Sequence, residues 1–225
     1  GGRTCDLPDR RAVLTQEKTG EGEKPAGRKR IKHARLGRGR RAVMEISYRR
    51  IAGEEFTREL FQTFDRLQKS DRVWKWENGK WALKPQKYVN DWSDEDKAFL
   101  VPYFRRKLTA EGALAFGAFQ KGKLLGFSLL ETQPLGPERA YYNLLELFVT
   151  KNARRQGIGA HLFRLVCTGA EQLGAKRLYI CANPTEETVA FYRKMGCRDA
   201  TVRIARLVED EPDAYYLEAV LHEAE

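Results

Sequence analysis

Two glycines separated by one residue follow two arginines in the segment RRQGIGAHLFRLV, Arg154 to Val166. An apolar strand pattern ends before them at Val149, and an apolar helical pattern begins at Ile158. The first N–H groups of a helix lack internal partners and carry partial positive charge, and glycine lets an anion approach them closely. Because Arg154 and Arg155 add formal charge at the same point, the segment predicts a site for a diphosphate.

Two common diphosphate-binding motifs do not fit this segment. A Walker loop requires Lys and then Ser or Thr after its second glycine, whereas Ala160 and His161 follow Gly159. A dinucleotide fingerprint requires a third Gly or Ala three residues past the second, and the run His161-Leu162-Phe163 has neither. The pattern that does fit is R-x-x-G-x-G, formed by Arg154, Gly157 and Gly159.

This pattern and its surroundings resemble the GNAT superfamily of N-acetyltransferases, which has Q/R-x-x-G-x-G/A at this position. The preceding strand ends LFV, and a strand and helix ending AFYRKMGC follow about thirty residues later, in the family's order. The resemblance covers residues 44–225. It implies an α/β GNAT (acyl-CoA N-acyltransferase) fold, with about seven strands in a mixed central sheet and about four flanking helices. The fourth and fifth strands, 141–149 and 177–182 here, are splayed apart in that fold.

The resemblance also implies how acetyl-CoA, the acetyl donor, is bound. Its pyrophosphate would lie at the residues Arg154, Arg155, Gln156, Gly157, Ile158, Gly159 and Ala160. The pantetheine arm would enter the gap between the splayed strands and bind the backbone of Leu147, Phe148 and Val149. A preorganised N–H on the thioester carbonyl stabilises charge that develops only in the transition state.

Tyr192, in AFYRKMG, matches a family tyrosine that lies near the coenzyme sulfur. A phenol of pKa ~10 stays protonated at neutral pH and can donate a proton to the departing thiolate. The alternative for Tyr192 is a core aromatic. The family often has Asn seven residues earlier, where this chain has Thr185. Asn183 is then an alternative contact to pantetheine, and Thr185 is alternatively a helix cap.

The acceptor amine must lose a proton before it attacks, directly or through water. Glu146, a carboxylate inside an otherwise apolar strand, is the candidate general base, and some relatives have a carboxylate near this point. The alternative is a glutamate paired with an arginine on a sheet face. Glu131, at the end of the neighbouring strand, is the reserve candidate.

All four tryptophans lie between residues 74 and 92, together with Tyr88. The resemblance places this region, around the first two helices, in one wall of the acceptor site. Aromatic faces with nearby carboxylates suit a cationic amine. The candidate acceptor-binding residues are Trp74, Trp76, Tyr88 and Trp92, and the nearby carboxylates are Asp91, Asp94, Glu95 and Asp96. The alternative is a loop that packs its aromatic side chains on the core.

The elements that must position these residues follow from periodicity and turn signals. An apolar stripe predicts a first helix over about 55–69, and Ser93 with Asp96 predicts the cap of a second helix that ends near Leu108 and is kinked at Pro102. Further helices are predicted from Ile158 and in PTEETVAFYRKMG, where Gly196 ends the helix. Strands are predicted at MEISYRR, 113–119, 124–131, 141–149, 177–182, TVRIARL and AYYLEAVL.

The net charge of +10 is concentrated in a tail. Residues 1–43 carry 13 basic and 5 acidic residues, while residues 44–225 carry 28 and 26. The composition of the tail predicts disorder. Met44 is the expected natural start, which would make residues 1–43 upstream translated sequence or sequence added for expression. The alternative is a basic arm that contacts RNA, and nucleic-acid binding is not expected elsewhere.

The remaining composition narrows the class of protein. Four widely separated cysteines and three histidines predict neither a metal site nor a disulfide framework. No apolar run is long enough for a membrane span or a secretory signal, so a cytoplasmic protein, monomer or homodimer, is expected.

The expected activity is direct acetyl transfer in a ternary complex to a primary amine. A small cationic amine is the first acceptor class, and a lysine or N-terminal amine of a protein is the second. The rival is a non-catalytic acyl-CoA-binding module whose basic arm contacts RNA.

Overall fold

The computed structural model describes residues 45–221, which form one seven-stranded sheet, one two-stranded sheet and four α-helices. The strands are β1 (Ser47–Arg50), β2 (Gln68–Glu77), β3 (Lys80–Asn90), β4 (Leu114–Gln120), β5 (Lys123–Leu130), β6 (Tyr141–Val149), β7 (Arg177–Ala182), β8 (Arg198–Asp199) and β9 (Tyr215–Val220). The helices are α1 (Asp94–Thr109), α2 (Ile158–Gln172), α3 (Glu186–Lys194) and α4 (Ala205–Asp210). Met44 and the proposed tail lie outside the described residues.

The large sheet has the order β1-β4-β5-β6-β7-β9-β8, and only its β6–β7 pair is parallel. The parallel pairing joins residues 141–144 to residues 177–180 and then stops. Beyond it, β6 pairs with β5 only, after a register shift that leaves Leu145 as a bulge. The predicted splay between the fourth and fifth strands is therefore confirmed, and with it the predicted fold class.

Two hydrophobic layers hold the sheet. Helix α2 packs one face against it through Leu162, Phe163 and Val166, all buried, as its apolar periodicity predicts. On the opposite face, α1 contributes Val101 and Phe104 to a second layer. Burial on both faces explains why the central strands are almost uniformly apolar.

Most of the predicted elements occur where the sequence places them. The second predicted helix is α1, and its capping box is present: the Asp96 N–H donates to Ser93 Oγ (3.1 Å), and the Ser93 N–H donates to Asp96 Oδ2 (2.8 Å). Pro102 lies inside this helix. The strands predicted at 113–119, 124–131, 141–149 and 177–182 agree with β4, β5, β6 and β7 to within a residue or two.

The helix predicted over 55–69 is wrong. Residues 53–64 form short turns with i→i+3 hydrogen bonds, such as those from Phe61 to Arg58 and from Phe64 to Phe61. Of the apolar stripe that predicted the helix, Phe56 and Phe64 are buried and Leu60 and Leu67 are half-buried, so short turns satisfy much of the same pattern. Beyond these turns the chain leads into β2, and the Arg154 side chain donates to the carbonyls of residues 66 and 67.

The tryptophan-rich region is a β-hairpin, β2–β3, rather than a loop between helices. Its turn, Asn78-Gly79, has positive φ at both residues (50° and 78°), as a tight hairpin requires. The strand predicted at TVRIARL is also wrong: Thr201 binds the buried Glu218 carboxylate through its N–H and hydroxyl, and α4 follows. These two bonds and the burial of Ile204 turn the chain away from the sheet.

Candidate active site

The amino end of α2 has the geometry of an anion cradle. Gly157 is the N-cap residue with φ 83° and ψ −5°, a left-handed conformation that favours glycine. A Cβ on Gly159 would lie 3.5 Å from the Phe191 ring and 3.7 Å from Val149, so this turn fits closely between β6 and α3. The first intrahelical bond runs from the His161 N–H to the Gly157 carbonyl (3.0 Å). The N–H groups of residues 158–160 precede it and point out of the helix end.

The Arg154 side chain, expected to bind the pyrophosphate, contacts the protein backbone instead. Its guanidinium donates to three backbone carbonyls: Val149 (3.0 Å), Leu67 (2.7 Å) and Arg66 (2.9 Å). These bonds tie the end of β6 to the segment that precedes β2. Burial lowers the pKa of Arg154 from its ordinary value. Arg155 and Gln156 are exposed beside the cradle.

The opening between β6 and β7 leads away from this cradle. Leu147, Phe148 and Val149 pair with β5 and are only half-buried. Within residues 45–221, β7 offers no pairing partner to this part of β6. The backbone edge that faces β7 is thus available to an extended ligand, as the resemblance implied for pantetheine.

Tyr192 lies on α3, facing the core and close to this opening. Its ring packs on Phe163 (centroids 5.9 Å apart) and Phe191 (5.1 Å) and is 6% exposed. Burial raises the pKa of Tyr192 far above its usual value, and Cys197 and Glu146 add to the effect. The side chain is therefore a packed aromatic whose phenol stays protonated at neutral pH.

Thr185 and Asn183 mark the loop before α3. The Thr185 hydroxyl is fully buried, accepts a bond from the Thr188 N–H (3.3 Å) and accepts another from Gln68 Nε2 (3.0 Å). This geometry is that of the helix cap, the alternative that the sequence left open. Asn183 is half-buried and accepts a hydrogen bond from the Tyr88 hydroxyl (3.1 Å).

The two candidate bases differ in their surroundings. Glu146 is buried on β6, pairs across the strands with Leu129, and lies close enough to Tyr192 to affect its pKa. Glu131 directly follows β5, two residues beyond Leu129, and is held in a network of hydrogen bonds and ion pairs. Burial raises the pKa of Glu131, but hydrogen bonds and charges around it outweigh this and hold the pKa below its usual value. Its partners are Lys107 (2.9 Å), Arg206 (3.1 Å) and Asn143 (2.8 Å).

The four predicted acceptor residues separate into two pairs. Trp92 packs edge-on against Phe148 (5.2 Å), and Tyr88 is buried beside Asn183. Trp74 and Trp76 instead pack against Tyr215 (5.7 Å) and Trp81 (5.3 Å). The cation over the Trp76 and Trp81 rings is the chain's own Arg203, at 5.1 and 5.8 Å from the ring centroids.

A cleft of about 270 Å³ opens beside Trp92. It is lined by Gln62, Thr63, Phe64, Asp65, Arg66, Asp91, Trp92 and Lys97. Arg66 and Gln68, both within the helix predicted over 55–69, were not predicted as site residues. Arg66 is 2% exposed, and its guanidinium carbon lies 4.1 Å from the centroid of the Phe148 ring. Its place depends on residues more than eighty positions away, so no local signal could have identified it.

Two further findings concern the described part of the chain. None of its His, Cys, Asp and Glu side chains form a group of three or more that could hold a metal ion. No helix among these residues is long and apolar enough to cross a membrane.

The chain is similar in fold to several solved acetyltransferases. A nourseothricin acetyltransferase is 17% identical over 79% of this chain and 99% of its own, with a TM-score of 0.59. A putative streptothricin acetyltransferase from Bacillus anthracis str. Ames, in complex with acetyl coenzyme A, is 14% identical over 80% and 100%, with a TM-score of 0.59. A PaiA N-acetyltransferase from Thermoplasma acidophilum, in complex with coenzyme A, is 18% identical over 79% and 99%, with a TM-score of 0.50.

No curated protein matches the chain in sequence. The model of the acetyltransferase (GNAT) family matches residues 55–197, which is more than half of the chain. This match confirms the predicted family and with it the class of enzyme, an N-acetyltransferase that uses acetyl-CoA. The chain therefore belongs to the acetyltransferase (GNAT) family.

Proposed function

We propose that this protein transfers the acetyl group of acetyl-CoA directly to the primary amine of a small cationic molecule, in a ternary complex. The observation that carries the proposal is the early end of the β6–β7 pairing at Leu144 and Ile180. It leaves a strand edge open between the α2 cradle and the buried pair of Tyr192 and Glu146. In this proposal the donor, the acid Tyr192 and the base Glu146 act together at this opening.

In this proposal the donor occupies the opening as an extra strand. The pyrophosphate binds the N–H groups of residues 155–160, and Arg155 supplies the exposed positive charge. The pantetheine amides bind the open edge of β6 at residues 147–149. Arg154 acts by holding the end of β6 in place, because three of its five N–H donors, one on each nitrogen, bond backbone carbonyls.

Glu146 takes a proton from the acceptor ammonium, directly or through water. The neutral nitrogen then attacks the thioester carbonyl, so a C–N bond forms, the C–S bond breaks, and the nitrogen loses its second proton to solvent water. Tyr192 donates its proton to the departing thiolate and is later reprotonated from solvent. The products are the N-acetylated amine, the thiol of coenzyme A and one released proton.

The acceptor enters from the side of Tyr88 and Trp92. The cleft beside Trp92 has the volume for a small amine, and Asp65 and Asp91 line it. Aromatic and carboxylate groups together favour a positively charged nitrogen. Trp74 and Trp76 support the hairpin rather than the acceptor in this proposal, because they pack on Tyr215 and Trp81.

Release of the coenzyme A thiol, followed with a thiol reagent, tests the activity. The full chain is assayed with acetyl-CoA and three acceptor types: small primary amines, a lysine-containing peptide, and a peptide with a free N-terminus. We expect turnover with small amines and not with the peptides. Turnover with a peptide and not with the small amines would indicate protein acetylation instead. No turnover with any acceptor would indicate a non-catalytic acyl-CoA-binding module.

A further inference from the structure

Arg66 is a buried cation whose guanidinium is only partly hydrogen-bonded. Of the five N–H donors that a guanidinium carries, one is used, from Nη1 to Gln68 Oε1 (3.2 Å). Its Nε is buried and has no hydrogen-bond partner among residues 45–221. The carboxylates whose charges act on the guanidinium are those of Glu146 and Asp91.

This arrangement is costly for the folded protein alone. A buried charge loses its hydration, and here the effect of burial outweighs the attraction of Glu146 and Asp91. Burial lowers the pKa of Arg66 to about 10, so the side chain is still a cation at neutral pH. The Arg154 guanidinium lies close by and bonds the Arg66 carbonyl, so that a second positive charge adds to the first.

The position of Arg66 relates it to the reacting strand. The guanidinium lies over the ring of Phe148, two residues from Glu146 on β6. Side chains at i and i+2 of a strand share a face and are about 7 Å apart. An anionic group at Arg66 and an amine at Glu146 would therefore be separated by the length of one small molecule.

The cleft that Arg66 lines also carries balanced charge. Arg66 and Lys97 are positive, and Asp65 and Asp91 are negative. Asp65 and Asp91 each accept a backbone hydrogen bond with one carboxylate oxygen, at Leu67 (3.0 Å) and Trp92 (2.8 Å) respectively. A ligand with one charge of each sign suits this cleft better than a polycation does.

We propose that Arg66 binds a carboxylate of the acceptor, so that the substrate is a small amine that carries a carboxylate on the same molecule. This inference rests on the proposed function and narrows its acceptor class. Two unused donors on one side of a guanidinium match the two oxygens of a carboxylate. Trp92 and Phe148 form the apolar wall along which the chain between amine and carboxylate would lie.

The test compares acceptors of equal length in the full chain. The amines are 4-aminobutanoate, 1,4-diaminobutane and butylamine, each assayed by thiol release. The variants are R66M, which removes the charge, R66K, which keeps it without the planar fork, and R106M as a control on an exposed arginine of α1. We expect wild type to prefer 4-aminobutanoate by at least about 10-fold in kcat/KM.

R66M should lower kcat/KM for 4-aminobutanoate about 10- to 100-fold, mainly through KM, and leave butylamine within about threefold. R66K should fall between wild type and R66M, and R106M should match wild type. Equal turnover of the three amines by wild type would overturn the inference and leave the acetyltransferase proposal standing. If R66M instead raised only the KM for acetyl-CoA, Arg66 would bind an anionic group of the coenzyme, and the inference would also be overturned.

A folding defect in R66M would not obscure the result. Thermal unfolding with and without 4-aminobutanoate reports binding to wild type and to R66K independently of turnover. The inference requires that 4-aminobutanoate stabilises wild type more than butylamine does. Equal stabilisation by the two ligands would contradict it even if no variant were usable.

Discussion

Replacing Arg154 and Arg155 separately distinguishes two roles for adjacent arginines. If both simply supplied charge to the pyrophosphate, R154M and R155M would weaken acetyl-CoA binding alike and leave stability unchanged. In the structure, Arg154 instead donates three hydrogen bonds to the carbonyls of residues 66, 67 and 149. R154M should therefore destabilise the fold, whereas R155M should not.

The size of the effect follows from those three bonds. Hydrogen bonds from charged groups contribute about 1.5–3 kcal/mol each, but the three share one half-buried side chain and are not additive. Reduced for partial exposure, the expected loss in free energy of unfolding is about 2–4 kcal/mol. At about 2–4 °C per kcal/mol for a chain of this size, Tm should fall by at least about 4 °C.

Thermal and urea unfolding of the full chain measure this loss, and R155M is the matched control. The free energy of unfolding of R155M should stay within about 0.5 kcal/mol of the wild-type value, as is usual for substitutions at exposed positions. R155M should also weaken acetyl-CoA binding, and this loss should shrink as the salt concentration rises. A stability of R154M equal to that of wild type would refute the reasoning, because the three carbonyl bonds would then contribute nothing.

Three further outcomes are expected. Y192F keeps the ring packing on Phe163, so stability and acetyl-CoA affinity should be unchanged while kcat falls about 100-fold; a kcat within twofold of wild type would remove Tyr192 from the chemistry. Because the folded-state pKa of Glu131 is depressed, its ionised form contributes stability that is complete above the ordinary pKa of 4.5 and is lost as pH falls through the folded value. Urea titrations from pH 7 to pH 3 should therefore show a smaller pH dependence for E131Q than for wild type, and equal slopes would speak against the Lys107–Glu131 pair. G157A should lower the free energy of unfolding by about 1 kcal/mol, because residue 157 has a left-handed backbone and an added Cβ meets no other atom. A Tm equal to that of wild type would contradict this prediction.

The parts of the fold that could be predicted depend on local pattern. The turn with Gly157 and Gly159, the strand before it and the helix after it lie within about thirty residues, so their order and chemistry are visible in the sequence. The capping box at Ser93 and Asp96 is similarly local. These are the features from which the family and the donor site follow.

The parts that could not be predicted depend on contacts between distant segments. The spacing of Phe56, Leu60, Phe64 and Leu67 predicts a helix, but short turns accommodate the same pattern. The end of this segment is held by Arg154, which bonds the carbonyls of residues 66 and 67 from almost ninety residues away. The hairpin turn Asn78-Gly79 carries a clear local signal that the tryptophan pattern masked. Arg66 acquires its importance only through Phe148, which the fold brings beneath it.

The most direct test of the central claim is calorimetric titration of the full chain with acetyl-CoA and, in parallel, with S-acetylpantetheine, which lacks the pyrophosphate. If the amino end of α2 is the pyrophosphate site, acetyl-CoA should bind in the micromolar range, at about −8 kcal/mol, and S-acetylpantetheine at least about 10-fold more weakly. Equal affinity for the two ligands, or no binding of acetyl-CoA, would contradict the assignment of this segment and the acetyl transfer that depends on it.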